Sequence, residues 1–229
     1  SIMNLQLDKG DLGNVVTLDV EFREHWGAIF GAHPWLNGPW DSYLGFWKRG
    51  GGAAGEHSHA VNLWQHFAHS IGAGKVVEVN ASLEYVNDKL VDYDKLAFFN
   101  LRCESGMLGR VVQDVVTRPP RKWARIQTDT GYAEWHCGLK PGQDTVQWCW
   151  NNESVQRETI TKNRPDDFIS ELSHIRDVIE GRESNSPIYI DRGLDTMLVI
   201  AAAHLSNREG RRVKINYKKG YSKDALTLV

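Results

Sequence analysis

The chain reads Lys48-Arg49-Gly50-Gly51-Gly52-Ala53-Ala54-Gly55-Glu56-His57-Ser58-His59 and continues directly into Ala60-Val61-Asn62-Leu63-Trp64. Consecutive glycines let the backbone approach another group closely, because glycine adopts φ/ψ values that other residues resist. Glu56 and His59 can both move protons, and they follow where a helix is predicted to begin. A helix N-terminus also attracts anions and electron-rich oxygens. The stretch is typical of an active-site wall, although a glycine-rich connector before a surface helix has the same pattern.

The residues after the glycines predict one amphipathic helix over 56–71. Its apolar positions recur at helical spacing and are Ala60, Leu63, Trp64, Phe67 and Ile71. The opposite face carries His59, Asn62, His66 and Ser70. In a regular helix Glu56 lies one turn before His59 and about 60° around the axis, so we expect both side chains to face one pocket.

Strand patterns lie on both sides of this helix. Apolar and polar residues alternate over 16–23, and an aromatic segment with little periodicity follows over 24–49. A series of short, turn-punctuated apolar segments fills 77–161, which indicates mostly antiparallel neighbours with helices covering one face. Two helices are predicted to start at Pro165 and near residue 191, before a last strand at 213–217. We therefore predict a single α+β domain over 1–229.

Composition excludes several classes of function. The chain has 229 residues and a net charge of −2, with no run of one sign that indicates nucleic acid or an anionic membrane. No apolar run reaches the roughly 20 residues of a membrane-spanning helix. Residues 1–5 do not resemble a secretion signal. The three cysteines, Cys103, Cys137 and Cys149, form no CxxC pair, which favours reduced thiols in the cytoplasm.

Standard nucleotide motifs are missing from the sequence. Neither GxGxxG nor GxxxxGK[ST] occurs. Any nucleotide must therefore be held by something other than a standard phosphate loop of this chain.

Other residues near the glycines are candidates for ligand contact. Lys48 and Arg49 can meet a carboxylate or phosphate, although solvated charges at a loop end explain them equally well. Trp47 and Tyr43, like Trp35 and Trp40, can stack on a sugar ring or pack on another domain or subunit. His66 and His69 are one turn apart, but no third ligand is evident, so we expect no metal site.

The order of these features resembles the Gfo/Idh/MocA (glucose-fructose oxidoreductase and inositol dehydrogenase-like) oxidoreductases. The resemblance covers nearly the whole chain, from Leu12-Gly13-Asn14-Val15-Val16 through the glycines and His59 to a tail that begins at Asp195 and continues as Ala203-His204-Leu205-Ser206-Asn207-Arg208-Glu209-Gly210-Arg211-Arg212-Val213-Lys214-Ile215. It is confined to the C-terminal domain of that family, whose members begin with an NAD(P)-binding Rossmann domain.

This resemblance implies a large open-faced, predominantly antiparallel mixed sheet with helices on one face. It also implies a substrate-binding and oligomerisation domain whose sheet forms a homodimer or homotetramer contact. The substrate is expected to be a sugar, nucleotide sugar or cyclitol, and NAD or NADP is expected to be bound mainly by the missing domain, with contact here at most at Gly51 and Gly52.

The family motif also suggests roles for three residues. Members carry Asp four residues after the glycines, then His, then Asp three residues later; here Glu56 takes the first Asp position, His59 falls one residue short of the His position, and Asn62 follows. We expect His59 to act as acid/base on the substrate hydroxyl, since histidine titrates near neutrality. Glu56 is expected to orient His59 or the sugar, and Asn62 to bind substrate.

The hypothesis from sequence is therefore an NAD(P)-dependent oxidoreductase whose nucleotide half lies in another domain, so that this chain alone does not turn over. A free-standing binding or assembly module is the alternative, and a metal-dependent isomerase or hydrolase is a third possibility. A coding region upstream that specifies a βαβ unit with a glycine-rich turn favours the first.

Overall fold

The structure is a computed structural model that describes residues 13–163, 165–184 and 186–229, and its central feature is one ten-stranded sheet. The strands are β1 (Val15–Arg23), β2 (Val76–Asn87), β3 (Asp92–Cys103), β4 (Leu108–Asp114), β5 (Arg121–Thr128), β6 (Gly131–Lys140), β7 (Gln143–Trp150), β8 (Gln156–Thr161), β9 (Val213–Ile215) and β10 (Leu226–Leu228). Their spatial order is β10-β9-β2-β3-β4-β1-β5-β6-β7-β8. Only the β1–β4 pair is parallel among these strands.

Helices and short turns connect the strands. The α-helices are α1 (Gly27–Ala32), α2 (Gly52–Glu56), α3 (Ser58–Ser70), α4 (Asp166–Ile179) and α5 (Ile190–Glu209). Single 3-10 turns lie at Pro39–Asp41, Tyr43–Gly45, Trp47–Arg49, Tyr217–Lys219 and Lys223–Ala225. None of the helices in the described ranges is long and apolar enough to cross a membrane.

The core lies between one face of the sheet and helices α3 and α5. Strand register places Val20, Val111, Phe99 and Ala81 in one row across β1, β4, β3 and β2, and each is at most 8% exposed. Helix α3 contacts β1, and α5 contacts β2 and β9. Burial of apolar surface from both layers, worth about 25 cal/mol per Å², holds the helices on this face.

The opposite face of the sheet carries polar side chains. Register aligns Asn100, Arg110, Asp19, Arg125 and Glu134 across β3, β4, β1, β5 and β6. Arg110 Nε lies 2.9 Å from Asp19 Oδ1, and Arg125 Nη1 lies 2.6 Å from Glu134 Oε1. Burial alone would raise the pKa of Glu134, but hydrogen bonds from His136, Gln147 and Arg125 outweigh it and lower the pKa to about 2.

The predicted fold class, a mostly antiparallel mixed sheet with helices, is confirmed. Two details of the prediction were wrong. The helix over 56–71 is broken at His57, which has φ −95° and ψ 24°, so α2 and α3 are separate. Residues 24–49 contain α1 and three 3-10 turns instead of a structureless loop.

Helix α4 carries apolar residues at helical spacing that are exposed, among them Leu172 at 65% and Ile179 at 79%. Residues 1–12 lie outside the described residues. The expectation that 1–5 is not a secretion signal and the place of Leu12 in the family resemblance both concern this segment.

Candidate functional site

Helix α3 presents one face to the core and one to a cavity. Its apolar residues Ala60, Val61, Trp64 and Phe67 are all at most 4% exposed, and Trp64 Nε1 donates to the Leu18 carbonyl of β1 at 2.8 Å. This buried anchor fixes the rotation of α3 about its axis. The polar stripe that starts at His59 is consequently turned toward the first turns of α5.

The α3–α5 cavity has a volume of about 610 Å³. This is within the usual range for a small-molecule site, roughly 300–1,000 Å³. It is bounded by Phe22 and Trp135 from the sheet, by the polar stripe of α3, and by the segment that begins α5. Its lining residues are Phe22, His59, Asn62, Leu63, Gln65, His66, His69, Ser70, Trp135, Pro187, Ile188, Arg192 and Asp195.

Thr196 joins the two helices beneath this cavity. Its hydroxyl donates to the Arg192 carbonyl at 3.1 Å. The same oxygen accepts from Gln65 Nε2 at 2.9 Å and from Asn62 Nδ2 at 3.3 Å. Because the single hydroxyl proton is already committed to a carbonyl, both amides must present nitrogen to Thr196. The amide oxygen of buried Gln65 is thereby directed away from Thr196, and it has no hydrogen-bond partner among the described residues.

The charged residues of the cavity differ in their pairing. Asp195 is 1% exposed, and its Oδ1 accepts from Lys75 Nζ at 2.9 Å. Arg192, by contrast, takes part in none of the ion pairs between described residues. Burial, and to a smaller extent the positive charge of Arg192, lowers the pKa of both His66 and His69. The two imidazoles are therefore neutral near pH 7, and among the described lining residues Arg192 carries the charge that no ion pair cancels.

The space beside Gly51 and Gly52 is filled by other atoms of the chain. A Cβ on Gly51 would lie 2.3 Å from the Tyr43 carbonyl oxygen. Gly52 has φ +78°, and a Cβ there would lie 2.0 Å from Asp94 Oδ1. The close approach that the glycines permit is thus to residues 43–44 and to Asp94.

Asp94 holds the start of α2 from strand β3. Its side chain is 0% exposed, and Oδ2 accepts from the Ala54 backbone N–H at 2.7 Å. Burial raises the pKa of Asp94 to about 7, although backbone N–H groups of Ala54 and Ala53 oppose the shift. No sequence pattern marked this residue, because its partners are backbone groups forty residues away.

The segment over 43–49 is likewise satisfied within the chain. Trp47 stacks on His204 with ring centroids 4.7 Å apart, and its Nε1 donates to Asp92 Oδ2 at 3.1 Å. The Lys48 ammonium lies 5.4 Å from the Trp47 ring, and the Arg49 guanidinium lies 4.3 Å from the Phe46 ring. These side chains pack against one another and do not line the α3–α5 cavity.

Glu56 and His59 point to different surroundings. Glu56 ends α2, and its carboxylate accepts from the Tyr43 hydroxyl at 3.5 Å, while His59 lines the α3–α5 cavity. The break at His57 separates them. His57 itself is 4% exposed, and burial lowers its pKa.

The structure therefore divides the predicted site residues into two groups. His59 and Asn62 lie in the α3–α5 cavity, whereas Glu56, Tyr43, Trp47, Lys48, Arg49, Gly51 and Gly52 lie outside its lining. Sequence reasoning gave no site role to Gln65, Arg192 or Asp195, although Asp195 is the first residue of the tail that resembles the family. No motif surrounds Gln65 or Arg192 that would have revealed them. Within the described ranges, no three His, Cys, Asp or Glu residues come together to hold a metal ion.

Comparison with known proteins identifies the family. The sequence pattern of the GFO/IDH/MocA C-terminal domain matches residues 4–134, more than half of the chain. The chain belongs to this family. No curated protein sequence matches it significantly.

Solved structures with the same fold are oxidoreductases. The GFO/IDH/MocA domain is similar to the aldose-aldose oxidoreductase from Caulobacter crescentus in complex with glycerol (TM-score 0.70, 19% identity, covering 93% of this chain and 59% of that one). It is similar to an oxidoreductase from Agrobacterium radiobacter in complex with NAD+, L-tartaric acid and magnesium (0.68, 18%, 93% and 60%). It is also similar to levoglucosan dehydrogenase in complex with NADH and levoglucosan (0.70, 15%, 92% and 61%).

At these identities the likeness establishes the fold. The GFO/IDH/MocA domain spans about three fifths of the length of each of these structures.

Proposed function

We propose that this chain is the substrate-binding and oligomerisation domain of an NAD(P)-dependent oxidoreductase that acts on a hydroxyl or ketone of a sugar, nucleotide sugar or cyclitol. The α3–α5 cavity is the observation that carries the proposal. Its lining contains His59 and Asn62, the residues nearest to the family's His and Asp positions, together with the aromatic side chains of Phe22 and Trp135. Aromatic faces suit the C–H surfaces of a sugar ring.

In this proposal His59 takes the proton of the substrate hydroxyl or returns it. Asn62 is held by Thr196 beside it, and so helps to place the substrate. A bound NAD or NADP supplies the hydride acceptor or donor. Gly51 and Gly52 offer no open cradle for that group, because Tyr43 and Asp94 fill the space beside them. We propose that its binding belongs to a nucleotide-binding domain outside these 229 residues, and that the chain alone does not turn over.

The test is His59→Asn in the enzyme that carries this domain together with its nucleotide-binding domain. We expect kcat to fall by about 10²–10⁴, the usual contribution of acid/base catalysis. The dissociation constant for NAD should be unchanged, because His59 does not hold the nucleotide. His33→Asn is the matched control, since His33 lies in the turn after α1 and bonds to the Ile29 carbonyl. Near-normal turnover of His59→Asn would rule out the role given to it.

The polar face of the sheet is proposed as the contact of a homodimer or homotetramer. Phe98 and Leu108 are 41% and 52% exposed on this face, among ion pairs that are already satisfied within the chain. Light scattering at micromolar concentrations should give a multiple of 26.0 kDa. Phe98→Arg should shift the measured mass toward that of the monomer, and Leu139→Arg, at the exposed end of β6, should not. A monomer at every concentration would contradict this part of the proposal.

A further inference from the structure

Among the described residues that line the α3–α5 cavity, Arg192 is the charged group without an ion pair. Asp195 is the only carboxylate of these described lining residues, and its Oδ1 is paired with Lys75 Nζ at 2.9 Å, while its Oδ2 has no hydrogen-bond partner among them. Arg192 is half-buried and takes part in none of the ion pairs between described residues. A partly desolvated guanidinium without a counterion is unfavourable, so a ligand that brings the counterion is favoured.

The geometry of a guanidinium limits what that counterion is. Its planar fork of N–H donors matches the two oxygens of a carboxylate or of a phosphate. A ligand with an ammonium group would instead be repelled by the same charge. The neighbouring imidazole of His69 offers donor and acceptor nitrogens without a further net charge near neutral pH, because burial lowers its pKa.

A second feature of the cavity calls for a hydrogen-bond donor. Gln65 is 4% exposed, and its Oε1 has no partner among the described residues, since Thr196 takes the amide nitrogen. A buried acceptor left unsatisfied destabilises the site, because it has lost its hydrogen bonds to water. A hydroxyl group of the ligand is a donor that removes this destabilisation.

We infer that the α3–α5 cavity selects a polyhydroxylated ligand that carries an oxyanion, a sugar acid or a sugar phosphate, with Arg192 binding the oxyanion and Gln65 Oε1 accepting from a hydroxyl. This inference rests on the proposed function and narrows its substrate class. Arg192 acts here as a specificity-determining residue. Lys48 and Arg49, the cations expected from sequence to meet an anionic group, do not line this cavity.

The experiment measures binding to the 229-residue chain by calorimetry at fixed ionic strength, because salt screens this contact. The probes are D-glucuronate, D-glucose 6-phosphate, D-glucose and inorganic phosphate. We expect at least one of the two anionic sugars to bind about tenfold or more tightly than glucose, which corresponds to about 1.4 kcal/mol. The two anionic sugars distinguish a carboxylate from a phosphate.

The variants assign this preference to a residue. Arg192→Gln should abolish the preference for the anionic sugar, and Arg192→Lys should keep part of it, because a lysine retains the charge but not the fork. Arg208→Gln is the control on the same helix; Arg208 is exposed and pairs with Glu209 outside the cavity. Thermal unfolding of each variant checks that it is folded.

Three results would overturn the inference, and they separate it from the proposed function. Equal affinity for glucose and glucuronate, lost in His59→Asn, overturns the oxyanion assignment and leaves the proposed function standing. Inorganic phosphate that binds as tightly as the sugar phosphate, with the same loss in Arg192→Gln, shows an adventitious anion site only. Failure of all four probes contradicts both the inference and the substrate-binding role.

Discussion

The glycine run with its aromatic neighbours and the α3–α5 cavity are adjacent in sequence but differ in how their polar groups are used. Around the glycines, polar side chains bond mostly to other groups of the chain: Asp94 Oδ2 accepts from the Ala54 N–H, and Trp47 donates to Asp92. Asp94 Oδ1 is buried beside Gly52 and has no hydrogen-bond partner among the described residues. In the cavity, Gln65 Oε1 and Asp195 Oδ2 have no hydrogen-bond partner among the described residues, and Arg192 takes part in none of the ion pairs between them. Asp94 is fully buried with no open space beside it, whereas the cavity has a volume of about 610 Å³. The comparison teaches that the glycines have an architectural use, and that unpaired polar groups beside open space mark the better candidate for ligand binding.

The largest expected effect that tests this comparison is on stability. Gly52→Ala forces a side chain into φ +78° and against Asp94 Oδ1. We expect the free energy of unfolding to fall by about 3 kcal/mol, from left-handed strain of about 1–2 kcal/mol together with overpacking. Urea denaturation measures it.

Gly193→Ala is the matched control beside the cavity. Nothing lies within 4 Å of a Cβ there, and the residue is in α5. Removing a helical glycine should stabilise the chain by about 0.5–1 kcal/mol. If Gly52→Ala were equally well tolerated, the glycine run would not be filled as described, and an external partner for it would become the better explanation.

A smaller effect concerns Asp94 and pH. Its carboxyl has a pKa raised by burial from 3.8 to about 7. Protons are then held more tightly in the folded chain than in the unfolded chain, so this contribution to stability is present at low pH and is lost as pH rises from about 3.8 to about 7. Asp94→Asn removes the titration, so the stability of the native chain relative to this variant should fall across that window.

Urea unfolding at several pH values between about 4 and 7, the window set by the two pKa values, measures this difference in the free energy of unfolding. Asp94→Ala should in addition lose about 1–2 kcal/mol, because the backbone N–H groups of α2 lose their acceptor. A difference between Asp94→Asn and the native chain that does not change with pH would contradict the buried, raised-pKa carboxyl.

Periodicity was a good guide wherever one face of an element is buried. Alternation in β1 and the helical recurrence of Ala60, Trp64 and Phe67 were confirmed, because burial against a single layer selects residues at the period of the element. The same reasoning placed His59, Asn62 and His66 on one stripe, and the structure shows all three along the cavity. It failed at Glu56, since no propensity marked the break at His57.

By itself the sequence determined the α+β class, the order of the elements, the family and the polar stripe of α3, because each of these depends on local periodicity or on a contiguous motif. Only the tertiary structure decided that Glu56 turns to Tyr43, that Asp94 fills the space beside Gly52, and that Arg192 faces that stripe. These pairings join residues from 13 to more than 100 positions apart. They are fixed by the rotation of α3 and by the packing of α5 against it, which no local pattern contains.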